Sequence, residues 1–139
     1  MNVVQTIGVI VFSGDAVLLV KHTEGAEHKT GIYGLPSGRM EHGEGLEEAA
    51  IRELREETGL IAERLFQLPE TYFAEMERKS GERIPMEMSV FLLKEFTGNL
   101  HRSIETIPEW VPVEKMHTLP LLPNIENAVK AALPYKDTV

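Results

Sequence analysis

One segment constrains the fold more than any other. Between residues 45 and 58, Leu46, Ala50 and Leu54 recur at i, i+4 and i+8, and Gly59 follows as a stop. This spacing predicts an amphipathic helix whose apolar stripe needs a core to lie on. Around it the chain reads differently. Residues 3–12 and 16–22 are apolar, β-branched runs joined by Ser13-Gly14-Asp15, which predicts a hairpin. Residues 32–36 predict a short strand ended by Pro36, residues 61–68 and 71–75 two more, and residues 86–96 a longer one. A polar loop is expected over residues 97–109, a helical turn over 113–117 and a closing helix over 125–133 with Asn124 as its cap. With no internal repeat or linker, the 139 residues are expected to form a single domain, 1–139, an α/β sandwich around a mixed sheet.

The helix carries its charge in the wrong place for stability. Glu53, Glu56 and Glu57 share one face in the last two turns, where the helix dipole disfavours a negative group by about 0.3–1 kcal/mol. Each like-charge pair at i+3 or i+4 costs roughly a further 0.2–0.5 kcal/mol. Arg52 and Arg55 offset part of this, and a solvated acidic face would be the ordinary reading of such a cluster. Glu47 and Glu48, in the first turn, are favoured by the same dipole and carry no chemistry. Magnesium supplies a reason for the misplaced charges: it takes hard oxygen ligands, often one or two carboxylates beside waters and substrate phosphates. A net charge of −8 points the same way. It repels a long nucleic acid but admits a small polyanion screened by a cation.

The residues from Gly38 to Leu60 complete the pattern G-x5-E-x7-R-E-U-x-E-E-x-G-U, where U is a bulky aliphatic, through Gly38, Glu44, Arg52-Glu53-Leu54, Glu56-Glu57 and Gly59-Leu60. This stretch resembles the Nudix box, and Leu35-Pro36 and Glu109-Trp110 look like the MutT-like part of that superfamily. The resemblance implies an α/β/α sandwich with a central mixed sheet. It also implies hydrolysis, with Mg2+ or Mn2+, of a nucleoside diphosphate linked to another moiety. By position, Glu56 and Glu57 look like metal ligands and Glu53 like the residue that orients or deprotonates water or shares the metal. The backbone carbonyl of Ser37 looks like a further ligand, although many relatives have glycine there. Arg52 resembles the arginine that positions the glutamates, Glu44 one that supports the loop, and Gly38 one that permits a turn.

Other assignments are looser. Glu105 is the candidate for an additional catalytic glutamate from a later loop, with Glu95 and Glu109 behind it. Lys21, Arg39 and Lys29 are candidates for phosphate contact. Tyr33, Tyr72 and Phe73 offer stacking surfaces, though strand aromatics belong more often to a core. Asn124 resembles a base-reading asparagine in nucleoside triphosphatases of this type, while helix capping explains it equally well. The five histidines show no zinc-ligand spacing.

The expected partner is a small nucleotide-like substrate, either a (d)NTP or, alternatively, ADP-ribose or a nucleotide sugar. No membrane or long nucleic acid is expected, and a homodimer is left open. A silent nucleotide-binding module and a purely structural acidic domain are the competing readings. The absence of cysteine removes disulfides and thiolates and, with no secretory pattern at the N-terminus, suggests the cytoplasm.

Overall fold

The computed structural model describes residues 2–138; Met1 and Val139, the two ends of the expected 1–139 domain, lie outside the described residues. Eight strands and two α-helices follow in the order β1 (Val4–Ile10), β2 (Phe12–Ser13), β3 (Ala16–His22), β4 (Tyr33–Gly34), β5 (Ser37–Arg39), α1 (Leu46–Thr58), β6 (Ile61–Glu77), β7 (Arg83–Thr97), β8 (Thr106–Pro112) and α2 (Ile125–Ala132). A 3-10 helix, Val113–Thr118, takes the place of the expected turn.

The expected mixed sheet is present, in the order β5-β1-β7-β6, with β1 and β7 parallel and the other neighbours antiparallel. Its central strands are buried on both faces. Ile7, Val9, Phe91 and Leu93 pack with Ala49, Ala50 and Leu54 of α1, while Ile10, Val90 and Leu92 pack with Ile125, Ala128 and Val129 of α2. The helices therefore cover opposite faces of the sheet, the layered α/β arrangement that amphipathic helices impose on a doubly buried sheet.

A second, antiparallel four-stranded sheet was not anticipated; β3 pairs with β2 and β4 on one side and with β8 on the other. The expected hairpin is accordingly smaller than predicted. The run over residues 3–12 leaves the first sheet after Ile10, and only Phe12–Ser13 pair with Val17 and Ala16. Strand β8 occupies part of the expected polar loop. Its Pro108 and Pro112 argue against a central strand, and β8 pairs with β3 alone, an edge where a missing N–H is harmless. The two short strands expected over residues 61–75 are one bent strand, β6. Its register shifts between Gln67 and Thr71, around Pro69.

Helix α1 starts one residue later than expected, with Gly45 as N-cap, and Gly59 closes it in the left-handed conformation at φ 83°. Asn124 does precede α2 but does not cap it. Its backbone is left-handed (φ 69°) and its side chain makes no capping bond; Nδ2 instead donates to the Phe73 carbonyl at 3.2 Å.

Candidate active site

A cleft of about 410 Å³ opens where α1 meets the first sheet. Its polar end is built by β5 and α1. The Ser37 N–H donates to Glu57 Oε1 at 2.7 Å, and Glu53 lies so close to Gly38 that a Cβ on that glycine would fall 2.3 Å from its carboxyl carbon. Gly38 is thus needed for close approach rather than for a turn. It sits in β5 opposite Ile7, and its φ is not positive.

Arg52 ties the helix to the loop before it. Its Nε and Nη2 donate to both oxygens of Glu44, at 2.7 and 3.0 Å, and Nη2 also to the Arg39 carbonyl at 3.1 Å. Nη1 reaches Glu53 at 2.8 Å and Glu56 at 3.2 Å, and Nε lies 2.8 Å from Glu41. The planar guanidinium with five donors is the side chain that can hold so many acceptors at once.

These contacts separate the four carboxylates electrostatically. Hydrogen bonds from Arg52, and then from the Glu41 N–H, hold Glu44 down to about 2. Burial pushes Glu57 up to about 8 against the Ser37 N–H, and Glu53, Glu105 and Glu56 add to the rise. Burial also raises Glu53, which Arg52 opposes. Glu56 remains 52% exposed at its side chain and stands outside the cleft lining, whereas Glu53 and Glu57 line it.

Of the other residues singled out in the sequence, Ser37, Arg39, Glu105, Tyr72 and Asn124 line the cleft. Lys21 does not. Side chains alternate along β3, so His22 faces the cleft while Lys21 lines a separate shallow depression with Thr23, Arg102 and Ile104. Lys29, Tyr33, Phe73, Glu95 and Glu109 also lie outside the cleft lining. Glu95 pairs with Arg64, and burial beside Glu109 raises the pKa of Tyr33.

Sequence reasoning passed over His22 and His28, whose rings meet edge to face at 4.8 Å, and the methionines Met76, Met86 and Met88. Burial lowers the pKa of both histidines, and His22 Nδ1 is 2.9 Å from the Ile32 carbonyl. With a neutral ring, that contact places the proton on Nδ1. The methionines on β6 and β7 follow from strand alternation once the pairing of those strands is known, whereas His28 lies in a loop that no periodicity locates.

Among the described residues no three His, Asp or Glu side chains are already gathered around one point as a closed metal cage. The donor set nevertheless suits a hard divalent ion. Two carboxylates face a polar cleft, one of them buried with a single backbone N–H, and magnesium commonly completes its shell with waters and substrate phosphates.

An arginine-clamped run of glutamates at the end of a helix, set against the glycine of a short strand under a mixed sheet, is the constellation of a Nudix hydrolase. The chain belongs to that family: the NUDIX domain model matches residues 3–133. It is similar to the uncharacterized Nudix hydrolase YvcI of Bacillus subtilis (strain 168), 31% identical over 118 residues, covering 82% of this chain and 69% of the relative. It is also similar to the human 8-oxo-dGDP phosphatase NUDT18, 34% identical over 136 residues, covering 94% of this chain but 38% of that protein. Among solved structures, a MutT Nudix hydrolase from Burkholderia pseudomallei shares the fold with a TM-score of 0.78 at 23% identity, over 94% of this chain and 98% of that one. No helix among the described residues is long and apolar enough to cross a membrane.

Proposed function

We propose that this Nudix hydrolase is a nucleoside triphosphate pyrophosphohydrolase acting on ribo- or deoxynucleotides, with Mg2+ or Mn2+ held by Glu53, Glu56, Glu57 and the Ser37 carbonyl. The observation that carries this reading is the cleft's polarity. Glu57 and Glu53 stand at one end, and Met86, Met88, Leu122 and Ile125 at the other, which matches a phosphate chain leading to a base.

A divalent cation, when bound, supplies charge to the phosphoryl oxygens and acidifies water. The chain's own residues do the rest. Arg52 and Gly38 hold Glu53 at the cleft wall, where its carboxylate accepts the proton of the attacking water. The water oxygen forms the new P–O bond at one phosphorus of the α–β bridge, and the bridging P–O bond breaks, leaving nucleoside monophosphate and pyrophosphate. Arg39 lines the same end and neutralises phosphate oxygens. Glu105 joins Glu57 in raising the local negative potential that a cation would relieve. Relatives named for oxidised purine nucleotides, NUDT18 and a zebrafish (Danio rerio) oxidized purine nucleoside triphosphate hydrolase 32% identical over 79 residues, favour the nucleotide class.

The test is a release assay for phosphate and pyrophosphate over dNTPs, NTPs, ADP-ribose, nucleotide sugars and dinucleoside polyphosphates, with Mg2+, Mn2+ or EDTA. Metal-dependent release of pyrophosphate from triphosphates is expected. Turnover confined to ADP-ribose or nucleotide sugars would replace the substrate, and metal binding without any turnover would leave a silent nucleotide-binding module.

A further inference from the structure

We infer that Met76, Met86 and Met88 form an adaptable floor for the nucleobase, so that this protein binds nucleotides with little regard to which base they carry. The inference rests on the reading that the cleft takes a nucleotide.

The placement follows from strand register. Arg39 pairs with Thr6, Thr6 with Met88 and Met88 with Tyr72, a row that crosses β5, β1, β7 and β6. At about 4.8 Å per strand the row spans about 14 Å from the carboxylate end to Tyr72, the reach of a nucleotide lying across the sheet. The neighbouring row pairs Val4, Met86 and Ala74, and Met76 follows two residues beyond Ala74 on the same face. Met88 Sδ packs where a Cβ on Gly8 would come within 2.8 Å, so this thioether is seated in the sheet surface itself.

The floor is apolar, and most polar side chains around it are engaged: Arg78 forms ion pairs with Glu27 and Glu82, while His28 Nδ1 has no partner. Thr6 Oγ1 donates to the Glu87 carbonyl at 3.2 Å, Tyr72 OH to Glu70 at 3.3 Å and Asn124 Nδ2 to the Phe73 carbonyl. A site that reads a base through fixed hydrogen bonds discriminates by roughly 10⁴ or more, whereas an apolar pocket discriminates by roughly 10–200-fold. Unbranched, polarizable methionine side chains relax that limit further, because they reshape around ligands of different outline.

Calorimetric titration of the wild-type chain with dAMP, dGMP, dCMP, dTMP and 8-oxo-dGMP, in magnesium, tests this without turnover. The dissociation constants are expected to fall within about a hundredfold of one another. A wider spread, or no binding of any monophosphate, would overturn the inference. The variant M76L/M86L/M88L, close in volume and less adaptable, should keep its melting temperature within a few degrees and widen the spread at least about tenfold. M86L and M88L, made singly, serve if the triple variant does not fold. An unchanged spread in folded variants would also overturn it. Narrow binding without triphosphate hydrolysis would leave the floor standing and bring down the proposed function instead.

Discussion

The two ends of the cleft are built on opposite principles. At the carboxylate end, Arg52 holds Glu44, Glu53, Glu56, Glu41 and the Arg39 carbonyl, and Glu57 is set by the Ser37 N–H. At the other end Met76, Met86 and Met88 lie among Tyr72, Leu122 and Ile125, an apolar surface with Arg78, His28 and Asn124 around it. Chemistry at phosphorus needs its groups held within a fraction of an ångström, while a floor under a base needs only to exclude water. The difference predicts that substitutions at the first end damage turnover far more than binding, and that substitutions at the second do the reverse.

The largest effect is expected at Glu57. A glutamine amide there would keep an acceptor for the Ser37 N–H and matches the protonated carboxyl that burial favours in the metal-free protein, so Glu57→Gln should lower metal-dependent turnover about a thousandfold or more while the metal-free melting temperature near neutral pH holds. Rates and melts on one preparation decide this. A variant that melts lower without metal would make Glu57 a structural residue and erase the contrast between the two ends.

Gly38→Ala comes next. Its Cβ would meet the Glu53 carboxyl at 2.3–2.6 Å, which forces that carboxylate off its position. A displacement of about 1 Å in a catalytic group can cost roughly a hundredfold, so kcat should fall by about that factor with KM for the nucleotide little changed. A rise in KM alone would show that Gly38 serves substrate binding instead.

Removing the clamp should be felt in stability as well as rate. In Arg52→Ala, Glu44 and Glu53 lose their shared cation, so the variant should unfold at a lower urea concentration than the wild type. Arg52→Lys should not restore it, because one ammonium cannot reproduce the two-pronged contact with Glu44. Urea unfolding of the three proteins measures both statements.

The pH dependence of the metal-free protein sharpens the contrast further. Because the folded pKa of Glu57 is raised to about 8, the native state binds more protons than the unfolded chain between about 4.5 and 8. Stability should therefore fall as pH rises through that window, at up to roughly 1.4 kcal/mol per pH unit. Glu44 acts oppositely. Its folded pKa near 2 contributes stability above about 4.5 that is lost as pH falls towards 2. Melts from pH 5 to 8.5 should show a steeper decline in the wild type than in Glu57→Gln.

The same division explains what could be read from the sequence. The carboxylate end was legible because its residues come almost entirely from one helix and the strand before it, Gly38 to Glu57, where local periodicity and spacing carry the geometry. The methionine end draws on β6, β7 and the segment before α2, distant in the chain and joined only by strand register. Three local signals also misled. The polar run over residues 97–109 hid the start of the edge strand β8, residues 61–75 read as two strands where β6 is one bent strand, and Lys21, near the end of a strand, is turned away from the cleft by strand alternation.

Asn124 belongs to the second end and should show the smallest effect on the fold. It is the one non-glycine residue with positive φ among the described residues, and its amide is oriented by the Phe73 carbonyl rather than by α2. Asparagine tolerates the left-handed region better than most residues, and glycine adopts it freely. Asn124→Gly therefore exchanges a lost side-chain bond for relieved backbone strain, leaving stability within about 1 kcal/mol. Asn124→Ala loses the bond and keeps the strain, so it should be the less stable of the two. Because the floor holds the base without fixed hydrogen bonds, KM should stay within about twofold of wild type in Asn124→Gly and kcat should not change. A KM raised several-fold in both variants would mean that the amide of Asn124 reads the base.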